Sequence, residues 1–371
     1  MRRALVLLLV LATFAGSARA AGPPQVDARA YVVLDARTGE VLAASNAHER
    51  LPVASITKLM TVLVALQHLK LTDVVTVDPR AASVGESTAD LVPGEQLTVH
   101  DLVEGALIQS ANDAADALAL AVSQDYTAFA RLMNAKAQQL GLHDTQFVRP
   151  DGLDAPGEYS SAADMTKLAR VLMRRPFVRA TVLQQTATIA GGKVLHTWDD
   201  LLGVVPHVIG VKTGHTNEAG WCQVAAVREN GVTVYVTMLG SPTRSIRNVG
   251  LESLLAWGVA QFRVVPEVQT ARVYATVALP YGKRPVSLVA ARPLQGVVRL
   301  GHPLTERVVA ATNAGLPVHA GETLGRVEIW ANGHLLGSRA LIATRTVRRP
   351  SLPGRLGFYA GRTLHHIAHF F

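Results

Sequence analysis

The sequence predicts an α/β protein of the α+β kind, in which helices surround an antiparallel sheet and a smaller all-β region follows. The run from Ser55 to about Leu69 is apolar nearly all round, which is typical of a helix buried inside a domain. The apolar runs 219–228 and 232–239 flank Asn230-Gly231, and Asn-Gly between such runs is the strongest short hairpin signal. After Pro266 helical periodicity is absent, and short β-like runs alternate with Gly, Pro and Asn turns.

Residues 1–20 are predicted to be a secretory signal peptide rather than part of the fold. Arg2 and Arg3 form a basic start, an apolar run follows from Leu5 to Ala15, and Ala18-Arg19-Ala20 fits a small-x-small cleavage site. The apolar run is too short for a stable bilayer span, which argues against the alternative of an N-terminal membrane anchor. We therefore expect an exported protein.

A first domain is predicted over residues 25–262. Turn residues and caps set the limits of its elements: Gly39 lies in the first hairpin turn, Thr98 and Asp101 occupy N-cap and capping-box positions, and Gly141 closes a helix. In chain order we predict a hairpin of 30–35 and 40–45, the central helix from 55, a polar stretch 78–95, helices 98–109, 113–122 and 126–140, a loop 150–157, a helix 161–174, a loop 196–202, a strand 204–211, the hairpin 219–239 and a helix 251–262.

A small all-β domain is predicted over residues 268–346, and an amphipathic helix over 353–371. In the tail, apolar residues recur close to a helical period while Arg355 and Arg362 fall elsewhere, which predicts a helix on a membrane surface. His365 and His369 are four residues apart, but no acidic third ligand is nearby, so we expect no metal site. The predicted strands lie at 274–279, 286–291, 297–300, 307–311, 325–330 and 339–344.

Composition excludes some classes of function. The formal net charge of the 371-residue chain is +8, and loss of the three arginines of the signal peptide lowers it to +5. There is no basic stripe with interleaved aromatics, so we expect no nucleic-acid partner. Much of the excess lies near the C-terminus, for example at Arg345, Arg348 and Arg349, which suits an anionic membrane surface. Cys222 is the only cysteine, so no intramolecular disulfide can form, and its apolar surroundings predict a buried thiol.

The central helix opens on Ser55-Ile-Thr-Lys58, which places a hydroxyl and an amine on the same face of one helical turn. A serine hydroxyl becomes a good nucleophile when a base removes its proton, and a neutral lysine can be that base. The pattern alone is weak, because a chain of this size should contain about one S-x-x-K by chance. A helix cap followed by a solvated lysine would produce the same letters.

Two further motifs favour a catalytic Ser–Lys pair over a helix cap followed by a solvated lysine. Ser110-Ala-Asn112 and Lys212-Thr213-Gly214 follow in order, each at a predicted element boundary where a side chain can face a cleft. Lys-Thr-Gly should arise by chance in fewer than roughly one chain in ten. S-x-x-K and K-T-G occur together in the penicillin-recognising serine enzymes.

With these motifs the chain resembles the low-molecular-mass penicillin-binding proteins, the serine-type D-alanyl-D-alanine carboxypeptidase family. The matching stretches extend to 54–60, 101–115, 151–157 and 210–220, and the resemblance covers nearly the whole mature chain. It implies a penicillin-binding-protein/β-lactamase-like transpeptidase domain, followed by the β-rich domain and amphipathic tail of the membrane-associated members. Ala111 stands where relatives commonly have Gly, a departure that affects loop flexibility more than chemistry.

The resemblance and the chemistry together assign roles to the acylation residues. Ser55 is expected to attack the carbonyl between two D-alanines, and Lys58 to accept its proton. Lys58 must then be neutral, and we expect burial near a second cation, Lys212, to keep it so. Ser110 is expected to relay a proton to the leaving amine, and Asn112 to hold the substrate amide.

A second group of residues is expected to bind the substrate. The resemblance places the oxyanion donors at the backbone N–H of Ser55 and of His215, just after Gly214. Lys212, Thr213 and Arg247 would hold the terminal carboxylate. Arg247 is assigned only by its distance past the Lys-Thr-Gly motif. Asp151 and Asp154 are expected mainly to shape the loop 150–157.

The sequence therefore predicts a D-Ala-D-Ala carboxypeptidase that acts on peptidoglycan stem peptides and is acylated by β-lactam antibiotics. It would need no cofactor and would lie peripherally at the periplasmic face of the bacterial inner membrane. Three alternatives remain open: a DD-endopeptidase, a serine β-lactamase of the same fold, and an inert envelope scaffold that binds peptidoglycan. The β-lactamase is disfavoured because Glu158, the only Glu between the second and third motifs and before the strand, lacks a Glu-x-x-Leu-Asn setting.

Overall fold

The chain divides into two units after residue 260: residues 21–260, and residues 261–371 together with 1–20. The computed structural model describes residues 5–8, 22–123, 125–301, 304–331 and 333–368, with the backbone alone for 5–8, 265–267 and 361–368. The predicted signal peptide lies outside the described residues except for a short strand, Leu5–Leu8, which pairs antiparallel with Leu304–Ala311.

The helices and strands follow one another along the chain in a mixed order before residue 260 and, up to the tail, as strands after it. In chain order the strands are β1 (Leu5–Leu8), β2 (Ala30–Asp35), β3 (Val41–Ser45), β4 (Val74–Thr76), β5 (Gln96–Thr98), β6 (Thr186–Thr188), β7 (Val194–His196), β8 (Val208–Thr216), β9 (Gly220–Glu229), β10 (Val232–Ser241), β11 (Phe262–Val268), β12 (Val273–Val277), β13 (Val286–Ala290), β14 (Leu294–Arg299), β15 (Leu304–Ala311), β16 (Thr323–Ala331) and β17 (His334–Ala343). The helices are α1 (Lys58–His68), α2 (Pro79–Ala82), α3 (Val99–Glu104), α4 (Asn112–Ser123), α5 (Tyr126–Leu140), α6 (Ala162–Leu172), α7 (Pro176–Thr181), α8 (Arg244–Ala260) and α9 (Leu352–Ala368), with 3₁₀ turns at Ala54–Thr57 and Ala190–Gly192 and a π-helical turn at Gly105–Gln109.

A five-stranded antiparallel sheet in the order β3-β2-β10-β9-β8 forms the centre of the first unit. Both predicted hairpins, β2–β3 and β9–β10, are confirmed. In the β9–β10 turn Asn230 and Gly231 have φ of +49° and +80°, the positive values that a two-residue type I′ turn requires. The predicted mixed fold is therefore confirmed in this unit.

The predicted central helix is confirmed as α1, which is buried from Lys58 to Ala65. Ser55 itself lies one turn earlier, in the 3₁₀ turn Ala54–Thr57. The capping box at Thr98 and Asp101 is also confirmed, since each side chain meets the backbone N–H of the other. These predictions are confirmed because each depends on residues within one helical turn.

The Lys-Thr-Gly motif lies inside β8, so the prediction that this strand ends at Val211 is wrong. Lys212 pairs with Val224 and Gly214 with Cys222, and the ladder continues to Thr216. The prediction followed the apolar run, whereas the pairing with β9 continues through polar residues. The motif is therefore held on a rigid edge strand.

Helix α8 begins at Arg244, not at residue 251 as predicted, and it ends before β11 starts at Phe262. The earlier start brings Arg244 and Arg247 into the first turns of a helix. Helix α8 packs on β9 and β10 of the sheet. The position of these two arginines is thus set by a packed helix rather than by a loop.

The carboxylate of Asp113 fixes the segment that precedes α3 against α4. Its side chain is buried and accepts the backbone N–H groups of Ala89 at 2.9 Å and of Leu91 at 3.0 Å. Charged acceptors make such bonds stronger than neutral ones. The result is a fixed position for the segment that includes Glu86 and Ser87.

The second unit is all-β up to its tail, as predicted. Its larger sheet has the order β1-β15-β16-β17-β13-β12, and β11 pairs separately with β14. Strand β11 was not predicted, because Pro266 interrupts its pattern. In the tail helix α9, Leu352, Leu356 and Tyr359 are 67%, 69% and 56% exposed. Among the described residues no helix is long and apolar enough to cross a membrane.

Replacing Asp113 by Asn should lower the free energy of unfolding by about 2 kcal/mol, because hydrogen bonds to a charged acceptor contribute about 1.5–3 kcal/mol. Chemical denaturation measures the change. Asp90→Asn is the matched control: Asp90 is exposed and its φ of +55° suits Asn. Equal stability of the two variants would contradict the assigned role of Asp113.

Candidate active site

Lys58 is held by three oxygen atoms from three separate segments. Its Nζ lies 2.8 Å from Ser55 Oγ, 2.6 Å from Asn112 Oδ1 and 2.6 Å from the carbonyl oxygen of Asp151. The Asn112 amide is oriented by its Nδ2, which donates to the carbonyl of Gly85 at 2.9 Å. The predicted Ser–Lys pair is therefore in hydrogen-bond contact.

The partners of Lys58 accommodate the ammonium, which donates to all three oxygens, and equally the neutral amine that a general base must become. The Asn112 Oδ1 and the Asp151 carbonyl can only accept, so they take the two N–H groups of a neutral amine. The remaining lone pair then faces the hydroxyl of Ser55, which can donate to it. This arrangement is the one that a general base requires before it removes the hydroxyl proton.

Burial lowers the pKa of Lys58 to about 8 from its ordinary 10.5, because a charged amine loses its hydration inside the protein. Nearby carboxylates, first Asp151 and then Asp116 and Glu158, oppose this lowering. Lys212 is not among the groups that shift the pKa of Lys58, because the repulsion between the two amines is relieved by the loss of charge at Lys212. Burial, and then the charge of Lys58, hold the pKa of Lys212 well below its usual range.

The loop that follows Pro150 closes over the Ser55 turn. Gly152 has a φ of +79°, and a Cβ there would lie 2.2 Å from the carbonyl oxygen of Ala54. Only glycine permits this approach. The Asp151 carboxylate binds Arg149 through bonds of 3.0 and 2.6 Å while its carbonyl holds Lys58, so Asp151 does more than shape a turn.

Two further carboxylates brace this region. Glu158 Oε1 accepts the Thr57 hydroxyl at 3.0 Å, and its Oε2 accepts the backbone N–H groups of Val148 and Arg149. Burial raises the pKa of Glu158 to about 7. Asp154 Oδ1 accepts the Thr216 hydroxyl at 2.6 Å, which joins the loop to the end of β8. No local pattern in the sequence indicates these long-range contacts.

Lys212 lies behind Ser110 rather than on the surface of the cleft. Its Nζ contacts Ser110 Oγ and the Thr213 carbonyl, both at 2.8 Å, and the residue is 2% exposed. Ser110 has a φ of +62°, a left-handed conformation that points the backbone out of the preceding π-helical turn. The amine of Lys212 is therefore buried against the Ser110 hydroxyl.

Strand β8 runs directly alongside Ser55. A Cβ on Gly214 would lie 2.9 Å from the Val53 carbonyl and 3.1 Å from the Ser55 nitrogen, so the strand needs glycine here. The next side chain, His215, stacks on Trp221 with ring centroids 4.1 Å apart. The backbone at Ser55 and at His215 thus borders the same small region of the cleft.

Asp200 organises the far end of the cleft and was not predicted. It binds Arg244 through both carboxylate oxygens and accepts Arg247 Nη2 at 3.1 Å. The two guanidinium groups lie 5.9 and 5.6 Å from the ring centre of Trp221, and Arg244 also lies 5.6 Å from that of Trp198. Cationic groups over indole rings gain from cation–π attraction.

The predicted site residues converge on one cleft, with the two lysines behind its surface. Arg247 lines the cleft although it is only 1% exposed, because Asp200 and Trp221 cover the rest of it. The residues that line the cleft are Ser55, Glu86, Ser87, Ser110, Asn112, Trp198, Thr213, Gly214, His215, Trp221, Arg244 and Arg247.

A possible metal-binding group lies elsewhere in the described part of the chain. His100, Asp101 and Glu104 have ligand atoms within 4.8 Å of one another. Asp101 is engaged in the capping box, and Glu104 accepts a hydrogen bond from Gln184 at 3.1 Å. Each carboxylate thus keeps a structural bond through one oxygen, Asp101 Oδ2 or Glu104 Oε1, while its other oxygen lies within 4 Å of His100 Nδ1.

Comparison with known proteins gives one consistent set of similarities. The family model described as D-alanyl-D-alanine carboxypeptidase matches residues 17–243. The chain is 30% identical to D-alanyl-D-alanine carboxypeptidase DacF of Bacillus subtilis, over 94% of this chain and 95% of that protein. It is 34% identical to DacC of Escherichia coli, over 90% of this chain and 87% of that protein.

Solved structures agree with this similarity. Penicillin-binding protein 5 of Haemophilus influenzae superposes with a TM-score of 0.65 at 30% identity, covering 89% of this chain and all of that one. Penicillin-binding protein 6B of Escherichia coli gives a TM-score of 0.65 at 26% identity, with 88% and 98% coverage. These relatives include the β-rich second region.

Replacing Gly152 by Ala should lower the free energy of unfolding by about 2–5 kcal/mol, since left-handed strain costs about 1–2 kcal/mol and an overpacked contact about 1–3 kcal/mol. The matched control is Gly157→Ala, where φ is +86° but the nearest atom lies 3.6 Å from the added Cβ. In the Gly157→Ala variant the free energy of unfolding should fall only by the cost of the left-handed backbone strain. Denaturant unfolding curves measure both, and equal losses would argue against the close approach at Ala54.

Proposed function

The chain belongs to the D-alanyl-D-alanine carboxypeptidase family, and we propose that it removes the terminal D-alanine from peptidoglycan stem pentapeptides by way of an acyl-enzyme on Ser55. The observation that carries this proposal is the contact between Ser55 Oγ and Lys58 Nζ, with the other two partners of Lys58 able only to accept. A hydroxyl that donates to a neutral amine is an activated nucleophile.

In the first half of the reaction Ser55 Oγ attacks the carbonyl carbon between the two D-alanines, and its proton moves to Lys58. The backbone N–H groups of Ser55 and His215 stabilise the oxyanion that forms. The C–N bond then breaks as the Ser110 hydroxyl donates its proton to the departing amine and takes the proton held by Lys58 in its place, which leaves Lys58 neutral. Lys212, 2.8 Å from Ser110 Oγ, holds that hydroxyl in place.

In the second half water attacks the acyl-enzyme ester. Lys58, again neutral, accepts a proton from the water and then returns it to Ser55 Oγ as the ester C–O bond breaks, which regenerates the free enzyme. A β-lactam follows only the first half, because attack by Ser55 opens its ring and leaves a covalent adduct. Binding of penicillin is therefore a property of the same site.

The substrate is oriented by groups on both walls of the cleft. The side-chain amide of Asn112 uses one oxygen lone pair to accept from Lys58 and one N–H to donate to the Gly85 carbonyl. One lone pair and one N–H group remain for the substrate amide. Thr213 and Arg247 line the region where the terminal carboxylate would lie. Lys212 supports that carboxylate through Ser110 rather than by direct contact.

The contacts of Glu158 argue against the β-lactamase alternative. A deacylating glutamate must hold a water beside the ester, whereas both oxygens of Glu158 are bonded to Thr57, Val148 and Arg149. The bonded Ser–Lys pair likewise argues against an inert scaffold. A DD-endopeptidase would use the same residues, and assay of cross-linked peptides separates it from the carboxypeptidase.

Export and peripheral attachment to the periplasmic face of the inner membrane are part of the proposal. They rest on the predicted signal peptide of residues 1–20 and on the exposed apolar side chains of α9. The proposed division is a catalytic domain over 25–262, a β domain over 268–346 and a membrane-surface helix over 353–371.

Incubation with penicillin should add one adduct to the intact mass, and the protein should release D-alanine from a stem pentapeptide. Ser55→Ala should lose both. Lys58→Arg, charged at every working pH, should lose at least about a hundredfold in acylation rate, as expected for a missing general base. Lys70→Arg, an exposed control, should react normally. Normal acylation of Lys58→Arg would overturn the role of Lys58, and fast β-lactam turnover without D-alanine release would indicate a β-lactamase.

The acylation rate should rise about tenfold per pH unit up to about pH 8 and then level off, because only the neutral form of Lys58 accepts the proton and its pKa is about 8. Asp116→Asn should move the midpoint to lower pH, since the negative charge of Asp116 raises the pKa of Lys58. Stopped-flow acylation by a chromogenic β-lactam measures both profiles. A midpoint that stays in place after Asp116→Asn would contradict this electrostatic account.

A further inference from the structure

One end of the larger sheet in the second unit gathers positive charge from two distant parts of the chain. We call this group the basic rim, and all five of its side chains are exposed. Among the described residues no carboxylate lies within ion-pair distance of any of them. The members of the basic rim are Lys283, Arg284, Arg345, Arg348 and Arg349.

Two hydrogen bonds join the two parts of the basic rim. Arg345 Nη2 donates to the backbone carbonyls of Arg284 at 2.8 Å and of Pro285 at 3.2 Å. The pairing of Leu288 with Ala343 places the start of β13 and the end of β17 at the same end of the sheet. The rim is thus a fixed feature of the sheet rather than two unrelated loops.

The turn that contains Lys283 is seated on helix α9. The ring of Tyr281 meets those of Phe358 and Tyr359 edge to face, with centroids 5.9 and 6.0 Å apart. Tyr281 has a φ of +59°, which is unfavourable for a bulky residue and persists only where its surroundings hold it. A Cβ on the next residue, Gly282, would lie 3.3 Å from Phe358.

Exposed apolar side chains lie on the same helix. Leu352, Leu356 and Tyr359 follow one another at spacings of four and three residues, so they share one face. An exposed apolar ridge beside unpaired cations fits a surface that offers both a hydrocarbon region and negative charge. An anionic phospholipid bilayer has both properties, and it attracts each nearby cation.

We propose that the basic rim binds anionic lipid headgroups together with α9, so that the β domain itself, and not only the tail helix, contacts the membrane surface. This inference rests on the proposed peripheral attachment. Tyr281 acts as the link that keeps the turn and the helix on one surface. The only acidic side chain in the nearby 319–322 turn is that of Glu322, whose Oε2 accepts the backbone N–H of His319 at 3.0 Å.

Sedimentation with vesicles of phosphatidylglycerol and phosphatidylethanolamine, at low salt, tests the inference. Lys283→Gln combined with Arg284→Gln should weaken binding about 25-fold, at about fivefold per cation removed. The matched control combines Arg292→Gln with Arg339→Gln, because Arg292 follows the opposite end of β13 and Arg339 Nε donates to the neighbouring Pro293 carbonyl at 3.0 Å. It removes the same charge and should bind almost normally.

Two further measurements separate the outcomes. Tyr281→Asn keeps every charge and tolerates the left-handed backbone, and it should also weaken binding by releasing the turn from α9. Equal losses in the two double variants, or binding to neutral phosphatidylcholine vesicles as tight as to the anionic ones, would overturn the role of the rim. So would a parent protein that binds no vesicles.

The remaining controls distinguish this inference from the proposals on which it rests. Truncation after Ser351 removes α9, and retained binding would refute attachment by the helix while the double variant still reports on the rim. D-alanine release in solution should be the same for all of these variants. Its absence from the parent protein would refute the proposed enzyme activity and leave the vesicle result standing.

Discussion

The burial of one amine, that of Lys58, is the constraint on which the arrangement of the active site depends. A buried ammonium is costly unless charged partners surround it, and here the direct partners are a hydroxyl, an amide and a carbonyl. Burial therefore lowers the pKa of the amine, which raises the fraction that is neutral at a given pH. Carboxylates at a longer distance, chiefly Asp151, limit the fall of the pKa to about 8.

The partners of Lys58 explain why distant segments must meet at one point. Asn112 comes from the start of α4 and Asp151 from a loop that needs Gly152 to approach the Ser55 turn. On the opposite side Gly214 allows β8 to lie against the same turn. Glycine is required at both contacts because backbone, not side chain, closes the site.

The sequence predicted those parts of the fold that short-range patterns determine. The capping box at Thr98, the Asn230-Gly231 hairpin and the spacing of Ser55 and Lys58 all depend on residues within a turn of one another. The predicted end of the strand at Val211 failed because the pairing partner, β9, and not local hydrophobicity, determines how far β8 extends.

The rest of the site had no local signal. Asp200 binds Arg244 and Arg247, which are far from it in sequence, and no sequence pattern around Asp200 predicts these contacts. Likewise, Lys212 was expected to face the substrate, but the fold places Ser110 in front of it. Residue identity was readable from the motifs, whereas the direction in which each side chain points came only from tertiary structure.

Because the segments that carry Ser55, Asn112 and Asp151 must all meet around Lys58, the reactivity of Ser55 arises only late in folding. In an unfolded or partly folded chain the amine is hydrated and charged, and Ser55 is an ordinary alcohol. Only when the 3₁₀ turn, α4 and the loop at Asp151 close together does burial lower the pKa of the lysine to about 8, so that the neutral amine becomes accessible near neutral pH. Ser55 is therefore a poor nucleophile until the chain is correctly folded. Folding itself delays the reactivity, without the need for a propeptide or an inhibitor.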